Sequence, residues 1–340
     1  MALMFSWFNF NPTNCQCDYE SASDLDQSKP IKYFHVYSVI DASSIIGTEN
    51  DRSIYFPVLL LTEILDWTQL FAPLDCQHSP VFVFGYGDHN GPHTWKLSYP
   101  ESGGNSQSPI NIVTRAACVV QPSESLKWRG YSVQPLSMTM ANDGNGVSIC
   151  ALWSRCSRPS IQGGPLCGSY DFYSMMFHWG PSDVEGSEHT VDYVRYPMEL
   201  QMIHVKRGFN SPLDAIVLGA KDGVMITAFL FQITTVDNPY LDHIVTNLWR
   251  VGHPGAKVYI PPFPLEWMFP PFEKNYYTYS GSLTQPPCSE VVTWIVQPEP
   301  IAISSAQVSK FRKICSADGP ILLNSRPVQK LNERNVYLHE

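Results

Sequence analysis

The sequence predicts an α+β fold that is mostly β, a strand-rich domain with a few short peripheral helices. Three observations predict it. Val224-Met225-Ile226-Thr227-Ala228-Phe229-Leu230-Phe231-Gln232 is a nearly unbroken apolar run, the length and character of a strand buried on both faces. Val292, Trp294 and Val296 alternate with Val291, Thr293 and Ile295, so a second segment is also apolar on both sides. Helix signals are few, and the 28 prolines, dense between Pro261 and Pro271, break the rest into loops.

Taken in order, residues 1–80 show no period, repeat or low-complexity tract, and a poorly ordered extension is expected, with Ile54–Leu65 as its one candidate for packing. This stretch holds ten acids and three bases, so most of the net charge of −9 falls there. Neither part has the basic balance that nucleic-acid binding requires. No run of 18 apolar residues exists, so no spanning helix is expected. Met1 to Phe10 lacks the positive start and small-residue cleavage site of a secretory signal, and the chain has no Asn-x-Ser/Thr acceptor. The compartment stays open between cytoplasm and secretion. Within residues 81–340, Asn238 and Pro239 suit a helix start, and Leu241, Ile244, Val245, Leu248 and Trp249 follow at helical spacing. A second short helix is expected from Ser304, with Val308, Phe311 and Cys315 on one face.

The chemistry centres on Tyr173-Ser174-Met175-Met176-Phe177-His178-Trp179-Gly180. On a strand, Met176 and His178 point to the same face. Two histidines at that spacing would offer two imidazoles to one metal ion; here a thioether holds the first place. Gln201, in Glu199-Leu200-Gln201, stands where a third ligand belongs. Zinc wants three or four nitrogen, sulfur or carboxylate donors. A thioether suits softer ions such as Cu(I), and a neutral amide is a poor zinc ligand. Closed zinc sites are worth about 10–16 kcal/mol, so losing two of three strong donors removes several powers of ten in affinity.

These residues sit in a longer series: Gly85-Tyr86-Gly87, Asn90-Gly91-Pro92, Trp95, Gln107-Ser108-Pro109-Ile110-Asn111, Gly186-Ser187-Glu188-His189-Thr190, Gly281-Ser282-Leu283-Thr284, Val292-Thr293-Trp294-Ile295-Val296, and Asn324, Arg326, Pro327, Gln329 and Arg334. Over residues 84–337 the chain resembles the α-class carbonic anhydrases. With only His178 kept of the three zinc histidines, it is similar to the acatalytic carbonic-anhydrase-related proteins. The resemblance implies a large, twisted, mainly antiparallel central sheet. It implies Thr284 and Glu188 as the pair that orients zinc-bound hydroxide, and Asn145 at the place of the proton-shuttling histidine, which an amide cannot serve. It makes Glu199 the acceptor behind the third ligand, with His189 hydrogen-bonded in the core. Ile203, Ile226, Leu283 and Trp294 become the wall of the carbon dioxide pocket, which Gln285 narrows. Cys288 matches half of a disulfide whose other half falls at Ser102, leaving one of nine cysteines without its family partner.

Two functions from different classes follow. The first is a non-catalytic protein that needs no cofactor and binds a partner, expected to be a protein. The alternative is a zinc-dependent enzyme with residual or rescued reversible hydration of carbon dioxide. One structural expectation accompanies the first: the Gln201 amide NH₂ turns toward a carboxylate, and His178 takes a water or the Gln201 oxygen.

Overall fold

The computed structural model describes residues 84–154 and 157–340. The expectations for residues 1–80, including the Ile54–Leu65 segment, lie outside the described residues. Twelve strands form one sheet. From one edge the main path runs through Lys257–Ile260, Ser137–Asn142, Val147–Leu152, Tyr170–Trp179 and Met198–Lys206. It continues through Val224–Thr234, Val292–Ser304, Tyr276–Gly281, Tyr337–His339 and Cys118–Val120. Pairing is antiparallel except between Val224–Thr234 and Val292–Ser304 and between Tyr337–His339 and Cys118–Val120, so the sheet is the mainly antiparallel one expected.

The central strands read as the sequence predicts. Val224 through Phe231 are all buried, because the strand lies between two apolar layers. One layer gathers Met175, Phe177, Trp179, Leu200, Met202 and Phe229 with the helical segments, and Phe311 sets its ring 5.2 Å from Phe177 and 5.7 Å from Trp179. The opposite layer holds Ile203, Ile226, Ala228, Trp294 and Val296, with Met176 and Leu283 packed against it. Each fully buried side chain of this size contributes about 1.5–3 kcal/mol. Period-2 alternation along Tyr170–Trp179 thus sends Met175 and Phe177 into one layer and Met176 and His178 toward the other.

The helices are shorter than the apolar stripe suggests. Asn238 does cap, accepting from the Tyr240 N–H at 3.0 Å, and Pro239 opens the turn. The stripe then divides into the 3₁₀ turn Pro239–Leu241, the α-turn Asp242–Val245 and the 3₁₀ turn Leu248–Val251. The break is local. The Asn247 side chain donates to the His243 carbonyl at 2.9 Å, taking the acceptor its own backbone N–H would use in an α-helix, and that N–H bonds to Ile244 instead. The tighter turn buries Leu248 and Val251, three apart, and turns Trp249 outward, 80% exposed. The expectation that Trp249 belongs to the buried stripe is therefore corrected. The second helix, Ser305–Phe311, carries a full capping box from Ser304 and Gln307 and buries Val308 and Phe311. It ends before Cys315, which lies instead in the two-residue strand Cys315–Ser316. Among the described residues no helix is long and apolar enough to cross a membrane.

Candidate functional site

Register brings the site together. On the antiparallel neighbours Tyr170–Trp179 and Met198–Lys206, Met176 faces Gln201 and His178 faces Glu199. The same face continues across the sheet: Ser174 opposes Ile203, Ile203 opposes Ile226, and Ile226 opposes Trp294. Beside Gln201 the next strand places Ala228, whose small side chain leaves the amide room. His178, Glu188, His189 and Glu199 are fully buried, and Gln201 and Thr284 nearly so.

Two carboxylates are buried here, and hydrogen bonding accounts for them. Glu199 accepts from the Glu188 and His189 backbone N–H groups at 2.9 and 2.7 Å, from His189 Nδ1 at 2.8 Å, and from Gln201 Nε2 at 2.9 Å. Burial alone would raise the Glu199 carboxyl; the His189 imidazole and its hydrogen bond, then His178 and the Gln201 amide, outweigh it and hold the group below the usual carboxylate range. Glu188 accepts from the same Gln201 Nε2 at 2.7 Å and from the Arg326 backbone N–H at 2.9 Å. The Gln201 amide thus ties both carboxylates together. His189 completes the network, its Nε2 lying 2.7 Å from the Tyr279 hydroxyl.

His178 does not take the Gln201 oxygen, one of the two partners expected for it. Its Nδ1 lies 2.8 Å from the Asn324 carbonyl, an acceptor, so that nitrogen carries the hydrogen. Its Nε2 faces Glu188 Oε2 at 3.5 Å and has no hydrogen-bond partner among the described residues. The Gln201 oxygen does not serve it, because the amide is oriented by the two carboxylates. Thr284 also departs from the pairing implied by resemblance. Glu188 takes its hydrogen bonds from Gln201 and Arg326, and none joins it to the Thr284 hydroxyl among the described residues.

The remaining predicted residues fall around this floor. Ile203, Ile226 and Trp294 share one apolar cluster, with Leu283 packed against it. Gln285 donates to the Tyr86 hydroxyl at 3.2 Å. Asn145 sits in the loop before Val147–Leu152, and its carbonyl accepts from Asn324 Nδ2 at 3.1 Å. Cys288 is buried with a free thiol, and Ser102 instead gives its carbonyl to the Arg326 guanidinium at 2.9 Å. Motif reading places Asn324 and Arg326 in the series but does not foresee that the Asn324 carbonyl and the Arg326 N–H bond to His178 and Glu188. Asn324 orients His178 through its carbonyl and accepts the Trp179 N–H at 2.8 Å through its side chain.

The donors present do not fit zinc. His178 Nε2 is the one imidazole nitrogen left open toward the floor, and the Gln201 amide meets its neighbours with hydrogens rather than a lone pair. Among the described residues no group of three or more His, Cys, Asp or Glu side chains could hold a metal ion.

The sheet, the paired strands and the buried Glu188–His189–Glu199 network define a protein of the α-carbonic anhydrase class. Comparison bears this out: the family model for eukaryotic-type carbonic anhydrase matches residues 90–340. The chain is 36% identical over 261 residues to carbonic anhydrase 1 of Mus musculus, covering 74% of this chain and 97% of that protein. It is 33% identical over 258 residues to carbonic anhydrase 3 of Sus scrofa, covering 74% and 96%. The chain belongs to the eukaryotic-type carbonic anhydrase family.

Proposed function

We propose that this chain is a carbonic anhydrase homologue that does not hydrate carbon dioxide and acts by binding a partner, a protein. The observation that carries this reading is the Gln201 amide, which donates to Glu188 and Glu199 where a third imidazole would have to present a lone pair. Zinc in this family supplies a hydroxide at neutral pH by lowering the pKa of bound water to about 7. Met176 and Gln201 leave His178 to hold the cation alone, and one neutral imidazole is too few donors for that. Thr284 and Glu188 stand at the positions of a hydroxide-orienting pair, but no hydrogen bond joins them among the described residues, and Asn145 at the shuttle position has no group that titrates near neutrality. What survives is a scaffold with an apolar wall beside a floor whose two carboxylates are hydrogen-bonded, suited to recognition rather than turnover.

A second reading, zinc-dependent hydration at a residual level, is favoured by one observation. His178 keeps the orientation of a metal ligand, with Nδ1 on a carbonyl and Nε2 unpartnered. Elemental analysis of the purified chain, with carbon dioxide hydration followed on the same preparation, separates the two. The expected result is far less than one zinc per chain and no hydration above background. Stoichiometric zinc with turnover would overturn the non-catalytic reading. The double substitution Met176→His plus Gln201→His is expected to restore tight zinc binding, because positions 176 and 201 face each other in register beside His178. A folded double variant that stays metal-free would contradict the assignment of these positions.

A further inference from the structure

Trp249 is the most exposed tryptophan side chain among the described residues, at 80%, in a segment whose other apolar residues are buried. It lines a groove of about 250 Å³ between the Leu248–Val251 turn and the Ser305–Phe311 helix. Val245, Leu248 and Ile314, all buried, form its floor. Lys310 and Lys313 line its other side. Both lysines are exposed, and neither joins an ion pair among the described residues. The neighbouring Arg250 is already engaged, donating to Asn247 Oδ1 at 3.0 Å and to the Tyr259 carbonyl at 2.9 Å. Tryptophan at such a position is the side chain that most often anchors a protein interface.

We propose that this groove docks an acidic peptide segment of a partner protein, with a large apolar side chain of that segment packed against Trp249 and its carboxylates paired with Lys310 and Lys313. The charge of the rim selects the occupant: carboxylates are attracted there and a basic or second ammonium-bearing segment is repelled. The local backbone supports the arrangement, because the Asn247 bond that tightens the turn is what turns the indole outward. The proposal rests on the reading that this protein works by binding, but it uses none of the residues around His178.

The test titrates the full chain into a fluorescein-labelled peptide, Ac-Glu-Glu-Asp-Leu-Phe-Asp-Glu-Glu, and reads anisotropy in low salt. Two control peptides replace Leu-Phe by Ala-Ala or every acid by lysine. Saturable binding of the first peptide alone is expected, weakening as salt rises. W249A and K310E/K313E should each weaken it by about tenfold or more, while circular-dichroism melts stay unchanged because all three positions are exposed. No saturable binding, equal binding of the lysine peptide, or variants that bind as the wild type would each overturn the proposal. Zinc content and hydration are measured on the same samples. Activity there would overturn the non-catalytic reading and leave the docking result standing, so the two failures are distinguishable.

Discussion

Replacing Gln201 with leucine should expose how much this fold depends on one amide. Leucine is close to glutamine in shape, and the position is buried beside Ala228, so packing changes little. What is lost is two hydrogen bonds to carboxylates, at 2.7 Å to Glu188 and 2.9 Å to Glu199. Bonds to charged groups contribute about 1.5–3 kcal/mol each, which places the total near 3–6 kcal/mol. The two partners are not hurt equally. Glu199 keeps three other donors, whereas Glu188 keeps, among the described residues, only the Arg326 N–H, with His178 Nε2 at 3.5 Å. Most of the cost therefore falls on Glu188. Domains of this kind are stable by only about 5–15 kcal/mol, so the variant should lose a large fraction of its margin. Urea unfolding followed by tryptophan fluorescence measures it, with Met176→Leu as a packing control expected to cost less than about 1.5 kcal/mol. If Gln201→Leu costs no more than that control, the amide does not hold the carboxylates and the account of the floor fails.

Acid should destabilise the fold through His204, which is buried against the Tyr131 hydroxyl and pushed by that burial down to about 3. Its folded value lies below the unfolded value of about 6.5, so the unfolded chain binds the proton first and stability falls as pH drops from there toward about 3. The loss is of order 5 kcal/mol, and Tyr131→Phe plus His204→Leu should flatten the slope of urea midpoint against pH. Cys288, whose thiol burial pushes up to about 12, should resist iodoacetamide in the native state while the exposed Cys118 and Cys167 are alkylated, as site-resolved mass spectrometry would report. Ser304→Ala removes the acceptor for the Gln307 N–H and should cost about 1 kcal/mol in the same unfolding assay.

The strands were the legible part of this fold because their signal is local. Alternation around Met176 and His178 assigns their common face, and the apolar run from Val224 needs no partner to be read as buried. The position of Gln201 could be named, and its turn toward a carboxylate argued, because a buried carboxylate such as Glu199 demands donors. Which donors it finds was not legible. The N–H of Arg326 and the carbonyl of Asn324 act through the backbone, which every residue type carries alike, and they arrive from far along the chain. The same limit explains Thr284: its motif survives, but the competing amide that takes Glu188 comes from another strand. Trp249 misled for a different reason. Helical spacing assumes a uniform rise, and one side-chain bond from Asn247 replaced it with a tighter turn.

The direct opposition of positions 176 and 201 also bears on how an imidazole cage could be built here. It needs changes on two adjoining strands. An intermediate altered at 201 alone would have surrendered its glutamine clasp without yet having a complete cage to take its place. A three-imidazole cage at these positions is therefore reached through a less stable single variant, and both changes must be made together to avoid it.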